Sequence, residues 1–408
     1  MPTRIAVQVF LSFAFAYFFS ALVRGVTATL APSFSAEMGL AAGDLGLLAG
    51  AYFFGFAAMQ LPMGRALDRF GPRRVLVVLL AVAVAGCAAF AVARSFVGLT
   101  AARALIGVGV SACLMAPMTL FRRSFGAAAQ LRANSWMLMT GSLGMVASTL
   151  PVQWLLPTLG WRGLFWLVAV LMALAIGVIV WRVPADPPLQ RGDPQGAASY
   201  ADVFRHRSFV RLAPLGFFNY GALIAVQSLW AGPWLVQVSG LTPGAAAQGL
   251  FGINVAMLLA FWSWGLAVPR LIAQGWHAMR LIALGVPVSL FALVGAVALG
   301  PAAGAWLWAL FCVASSVVAL AQTTVGQAFA TPVAGRALSA FNLVVFAGVF
   351  VVQWGIGLVI DLGLARGMTT LSAFRAAFAL LALCCTLSYV WFLRCRDLPA
   401  AAKLNPSS

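Results

Sequence analysis

Gly64-Arg65-Ala66-Leu67-Asp68-Arg69-Phe70-Gly71-Pro72-Arg73-Arg74 is a short charged stretch set between two apolar runs, residues 44–64 and 75–94. Each flanking run has about the 20 residues that an α-helix needs to cross a bilayer core. Gly64 and Gly71 allow a tight turn and close helix approach between the two runs. The stretch therefore reads as the turn of a membrane hairpin. The rest of the chain has the same texture: 63% of its 408 residues are apolar and 8% are charged, against about 25% charged in an ordinary soluble domain. A soluble protein of this size must cover its surface with polar side chains, and this composition cannot. A soluble enzyme, a disordered chain and a disulfide-stapled secreted scaffold are excluded.

Working outward, apolar runs fall at 6–32, 44–64, 75–94, 97–120, 134–157 and 163–182, then at 209–238, 245–268, 281–300, 305–330, 337–362 and 373–393. The first follows Arg4 and is too long for the core of a cleaved signal, so it reads as a membrane helix ended by Pro32. The expected fold is all-α: a polytopic membrane protein with twelve transmembrane helices in two six-helix pseudo-repeats. The halves are 1–183 and 209–393. Between them lies a polar linker, 184–208, with Pro184, Pro187, Pro188 and Pro194, and 394–408 forms a tail. Gln153-Trp154 recurs as Gln353-Trp354, and Gly64 and Arg69 recur as Gly265 and Arg270, which supports an internal repeat. Parallel six-helix repeats hold substrate between the halves near the midplane.

The net charge of +17 does not signal nucleic acid. All but one of the basic residues are arginines scattered between apolar runs, Lys403 being the exception. Nineteen basic residues fall on the side of the termini and linker, four on the other, and Arg24 and Arg103 inside spans. Basic loops stay in the cytoplasm, so both termini are expected there, in a bacterial inner membrane.

The quoted loop resembles the G-x-x-x-D-R-x-G-R-R signature of the major facilitator superfamily, in the position that family puts it. Pro72 departs from the pattern, standing where a basic residue is usual. The fourth span has Arg103-Ala104-Leu105-Ile106-Gly107-Val108-Gly109, which looks like the family's R-x-x-x-G-x-G element. The resemblance covers essentially the whole chain and implies a secondary transporter that works by alternating access, not an enzyme. It implies that Gly64, Asp68, Arg69, Gly71, Arg73 and Arg74 form a conformational latch. Asp68 would face the positive N-terminal end of the eleventh span near Ala337. The pattern Tyr17…Arg24…Ala31-Pro32, with Gly39-Leu40 and Asp44-Leu45-Gly46 after it, resembles the anion:cation symporter and nitrate/nitrite porter branches. Members of the former bind organic carboxylates with a first-helix Arg, and Tyr52 looks like a tyrosine those carriers place there. Val23 stands where some relatives carry an acidic residue, and Gly141-Ser142-Leu143-Gly144 lacks the drug-antiporter element.

The residues themselves point the same way. A charge inside a span costs at least about 2.5–3.5 kcal/mol and marks a site. Arg24 lies about 27 Å along the first span and Arg103 about 9 Å into the fourth from the opposite side, so both fall in one half of the bilayer and can reach one anion. Arg suits carboxylate because its planar fork donates two parallel hydrogen bonds. The alternative for Arg103 is that it bonds backbone carbonyls and holds helices together; for Arg24 it is snorkelling. Tyr17 shares a helix face with Arg24, and Tyr220, Gln227 and Trp234 share a seven-residue spacing. Gln227, Trp230, Asn254, Gln322 and Asn342 are expected to orient the substrate, or to serve as interhelical glue. No cofactor or metal is called for. The expected partners are a small-molecule anion, the lipid bilayer, and a proton or other coupling ion, in a monomer. Alternatives are export of a neutral or lipophilic compound and Cu(I) uptake through Met59 and Met63, Cys113, Met115 and Met118, or Met137 and Met139. A receptor or intramembrane enzyme lacks the needed domain or buried catalytic groups.

Overall fold

The computed structural model describes residues 3–185, 200–329 and 331–395, and among these there is no strand. Among the described residues ten helices are long and apolar enough to cross a membrane alone, and Ala42–Ala58 with Gln60–Phe70, bent by 45° between them, makes an eleventh. The twelfth is concealed within Leu150–Arg182, where Gly160 adopts φ 61° and ψ 171°. Residues 150–159 therefore extend Ala127–Ala147 as the fifth helix, and 161–182 form the sixth. Because a positive φ with extended ψ is essentially a glycine conformation and costs other residues about 1–3 kcal/mol, and no atom lies within 4 Å of a Cβ at Gly160, Gly160→Ala is expected to destabilise by that amount in a thermal melt without altering packing.

In chain order the helices are the first (Thr3–Met38), second (42–70), third (Pro72–Val92), fourth (Phe96–Ser124), fifth and sixth as above. They continue with the seventh (Arg207–Val238), eighth (Pro243–Ala273), ninth (Ala278–Leu299), tenth (Ala305–Gln327), eleventh (Thr331–Ala365) and twelfth (Thr370–Arg394). Most of the linker and all but the first two residues of the tail lie outside the described residues. Large apolar side chains such as Phe291, Val97 and Trp154 are exposed, as a lipid-facing surface allows.

Pro32 does not end the first helix, which runs on to Met38. A proline removes one backbone bond and crowds the carbonyl four residues back, here that of Ala28. Packed neighbours cover such a carbonyl in a membrane. Gly232 of the seventh helix does so, lying so close that a Cβ on it would come within 2.6 Å of the Ala28 oxygen. Pro117 acts likewise in the fourth helix: it has no N–H for the Cys113 carbonyl, and residues 111–114 form turns between Val110 and Met115. The seventh helix contains three π-helical turns, 216–220, 226–230 and 234–238.

Helices 1–6 meet helices 7–12 most closely at the end of the bundle away from the termini. There the second helix lies along the eleventh, with Gly46 against the Gln353 carbonyl and Gly357 against that of Ala42. Phe56 and Phe346 pack with ring centroids 4.4 Å apart. Toward the termini the same pair has loosened: the nearest atom to a Cβ at Gly64 would be Ser339 Oγ, at 3.9 Å. At that end His206 packs on Phe329, ring centroids 4.3 Å apart, and burial lowers its pKa below the usual histidine value.

Candidate functional site

The first helix carries Tyr17, Ser20, Arg24 and Thr27 along one face, the spacing a helix requires. Arg24 is in hydrogen-bonding contact with Tyr17 and close to Tyr52 and Tyr220. Its Nε is buried and has no hydrogen-bond partner. The Tyr17 ring fits beside it because Gly141 of the fifth helix has no side chain: a Cβ there would stand 2.5 Å from the ring. Tyr220 comes from the seventh helix, so Arg24 sits where the two groups of helices meet. It lies one helical turn, about 6 Å, inside the Ala28–Gly232 crossing at the closed end.

Among the described residues no carboxylate answers this charge. The ion pairs Arg162–Glu37 and Arg123–Asp68 lie toward opposite ends of the bundle. In a low-dielectric interior a guanidinium without a counter-ion is held at a cost, and a bound anion removes that cost. The phenols around it can donate to the same anion.

Arg103 is placed differently from the expectation that it shares the anion. Only 1% exposed, it donates from Nη1 to the Val23 carbonyl at 3.1 Å and from Nη2 to Thr27 Oγ1. The rings of Tyr52, Phe90 and Phe165 surround its guanidinium at 5.7, 5.8 and 5.9 Å, which offsets part of its desolvation. It therefore ties the fourth helix to the first at the residue before Arg24, acting as a positioning residue. Tyr52, 2% exposed, lies between the two arginines, its hydroxyl 3.5 Å from the Ser20 carbonyl.

The polar residues of the later helices bond largely to one another. Gln227 Nε2 donates to Asn254 Oδ1 at 2.9 Å, and Gln322 Nε2 to Asn342 Oδ1 at 2.7 Å. Trp230 is fully buried, and its indole N–H donates to the Gln353 carbonyl at 3.1 Å. In this conformation all five act as interhelical glue, and Tyr220 is the side chain of the later helices brought to Arg24. Its signal was the seven-residue spacing with Gln227 and Trp234. The shared spacing does not give a shared partner: Tyr220 lies near Arg24, while Gln227 donates to Asn254 of the eighth helix.

The signature loop also departs from expectation. Asp68 accepts from Arg123 Nη2 of the fourth helix at 3.2 Å rather than from the start of the eleventh, and its side chain is 75% exposed. Arg73 donates to the Val180 carbonyl of the sixth helix at 2.5 Å, and Gly71, at φ 82°, makes the turn. Gly64 packs loosely, and Arg69 lies over Phe70, 5.1 Å from the ring centroid. Arg74 closes the motif at the start of the third helix.

The sequence model of the Major Facilitator Superfamily matches residues 13–353. A probable sulfoacetate transporter of Cupriavidus necator is 27% identical over 55% of this chain and 56% of its own length. A cis,cis-muconate transport protein of Acinetobacter baylyi is 25% identical over 56% of this chain and 57% of its own. The chain thus spans just over half the length of these two relatives. Among solved structures, a bacterial homolog of the human lysosomal transporter Spinster, inward-facing and occupied, superposes with a TM-score of 0.77 at 17% identity, over 98% of this chain and 100% of that one.

Proposed function

The chain belongs to the major facilitator superfamily, and from that premise we propose that it carries a small organic anion, of carboxylate type, across a bacterial inner membrane by alternating access. Arg24 is the charge that selects the anion. One observation carries this reading: its guanidinium stands where the two groups of helices meet, with Nε unpaired, three tyrosines close by and, among the described residues, no carboxylate beside it. A planar fork in that position recognises two oxygens of one carboxylate. The relatives named for sulfoacetate and cis,cis-muconate, both organic acids, support the class. The halves 1–183 and 209–393 rock about the site, and the abundance of basic loop residues at the end of the termini assigns that end to the cytoplasm. The conformation described is then closed outward. With no carboxylate relay beside Arg24, coupling runs through the anion, by exchange, by a co-bound proton or through the membrane potential.

Copper uptake fits less well, because Cys113 is close to the Arg24 charge, and a cation there repels Cu(I). The test is thermal stabilisation of the purified protein and of Arg24→Ala by small carboxylates, phosphates, nitrate, Cu(I) and lipophilic compounds. A ligand at 100 times its Kd adds about 2.7 kcal/mol to the folded state. A carboxylate that stabilises wild type but not Arg24→Ala supports the reading. Anions that do nothing, with copper or a lipophile stabilising both proteins equally, would overturn it.

A further inference from the structure

At the closed end, the eleventh helix presents Asp361 to the first turn of the second. Its carboxylate accepts the backbone N–H of Ala42 at 3.0 Å and of Gly43 at 2.7 Å, residues 319 and 318 positions away and in the other group of helices. A helix N-terminus offers unpaired N–H groups and partial positive charge, and bonds to an ionised acceptor are the strong kind. The second helix's own Asp44 reaches only the Ala41 N–H, at 3.1 Å. No ion pair engages Asp361 among the described residues, so its charge is answered by that N-terminus.

The seam behind it is built for close contact. A Cβ on Gly43 would come within 2.7 Å of Asp361 Oδ2, one on Gly46 within 2.5 Å of the Gln353 carbonyl, and one on Gly357 within 2.3 Å of the Ala42 carbonyl. The opposite end of the same helix pair carries Asp68, whose carboxylate is held by Arg123 of its own half. One end is bridged between the halves by a carboxylate, and at the other the carboxylate stays within one half.

We propose that Asp361 is the outer latch of the transport cycle. Its carboxylate holds the second helix to the eleventh while the outer face is closed, and both sides of the bond pass to water when that face opens. The proposal rests on the alternating-access reading but not on Arg24 or on the nature of the cargo. Asp361 touches no substrate; it is a positioning residue acting through the second helix.

Hydrogen–deuterium exchange of the full-length protein in lipid nanodiscs tests it, comparing wild type with Asp361→Asn, Asp361→Glu and Ala42→Pro. Proline is favoured at the first position of a helix, and Ala42 occupies that position, so Ala42→Pro deletes one donor from the other side of the latch without breaking the helix. Losing charge-assisted bonds should raise outward opening roughly tenfold in Asp361→Asn, and about threefold in Ala42→Pro, where one neutral donor is lost. The decisive readout is exchange at the Ala28–Gly232 crossing, which Asp361 does not touch. It should rise in both variants together with exchange at 42–46, and Asp361→Glu should restore the wild-type pattern. Exchange that rises at 42–46 alone would reduce Asp361 to a local cap and overturn the proposal, as would no change anywhere. Carboxylate-induced thermal stabilisation should persist in Asp361→Asn, because Asp361 lies outside the Arg24 site. A failure of the anion reading, seen as Arg24→Ala behaving like wild type, is therefore distinguishable from a failure of the latch.

Discussion

Arg24→Ala is expected to lower carboxylate uptake into proteoliposomes by about 100-fold or more at substrate concentrations well below saturation. Truncating one partner of a buried, hydrogen-bonded charge pair costs about 2–5 kcal/mol, and each 1.4 kcal/mol is about tenfold. Arg24→Lys keeps the charge but loses the fork, so about a tenfold loss is expected there. The folded protein should be retained. Arg24 has an unpaired Nε and no acidic neighbour, so removing it relieves a desolvated charge, and the melting temperature without ligand should not fall. Uptake that survives in Arg24→Ala would sink the anion reading. A collapse in melting temperature would make Arg24 structural instead.

The second large effect is expected at the seam of the second and fourth helices. A Cβ on Gly107 would stand 1.9 Å from the Tyr52 carbonyl oxygen, and one on Gly55 would stand 2.1 Å from that of Ala104. Backbone meets backbone at both points, so no rotamer change can relieve the clash. Gly107→Ala is expected to destabilise by about 3 kcal/mol, the upper part of the range for overpacking. It also displaces Tyr52, and uptake should fall with it. Gly177 supplies the contrast, since no atom lies within 4 Å of a Cβ placed there. Gly177→Ala should stabilise by about 0.5–1 kcal/mol through helix propensity alone. Thermal melts of the two variants side by side decide the matter: equal melting temperatures would mean that the seam is not as tight as described.

Sequence by itself determined the membrane architecture, because a span is a local property. An apolar run of bilayer length is legible without knowing its neighbours, and so is a lone arginine within it. Repeated patterns and the signature loop likewise gave the superfamily and the two sets of helices. Helix ends were less legible. Pro32 looked like a stop, but the carbonyl it frees is covered by Gly232, some 200 residues away in the chain.

Roles were decided by tertiary structure. Arg24 and Arg103 look alike in sequence, each a cation in an apolar run, yet one lies beside Tyr17 and Tyr220 where the two groups of helices meet and the other donates to Val23 and Thr27, 80 and 76 residues away in the first helix. Asp68 lies in a recognisable motif and pairs within its own half, while Asp361, with no motif to mark it, bridges the halves. The physical reason is common to all of these. The cost of burying a charge is set by the span that carries it, but the partner that offsets the cost is chosen by which helices pack together, and residues hundreds of positions apart make that choice.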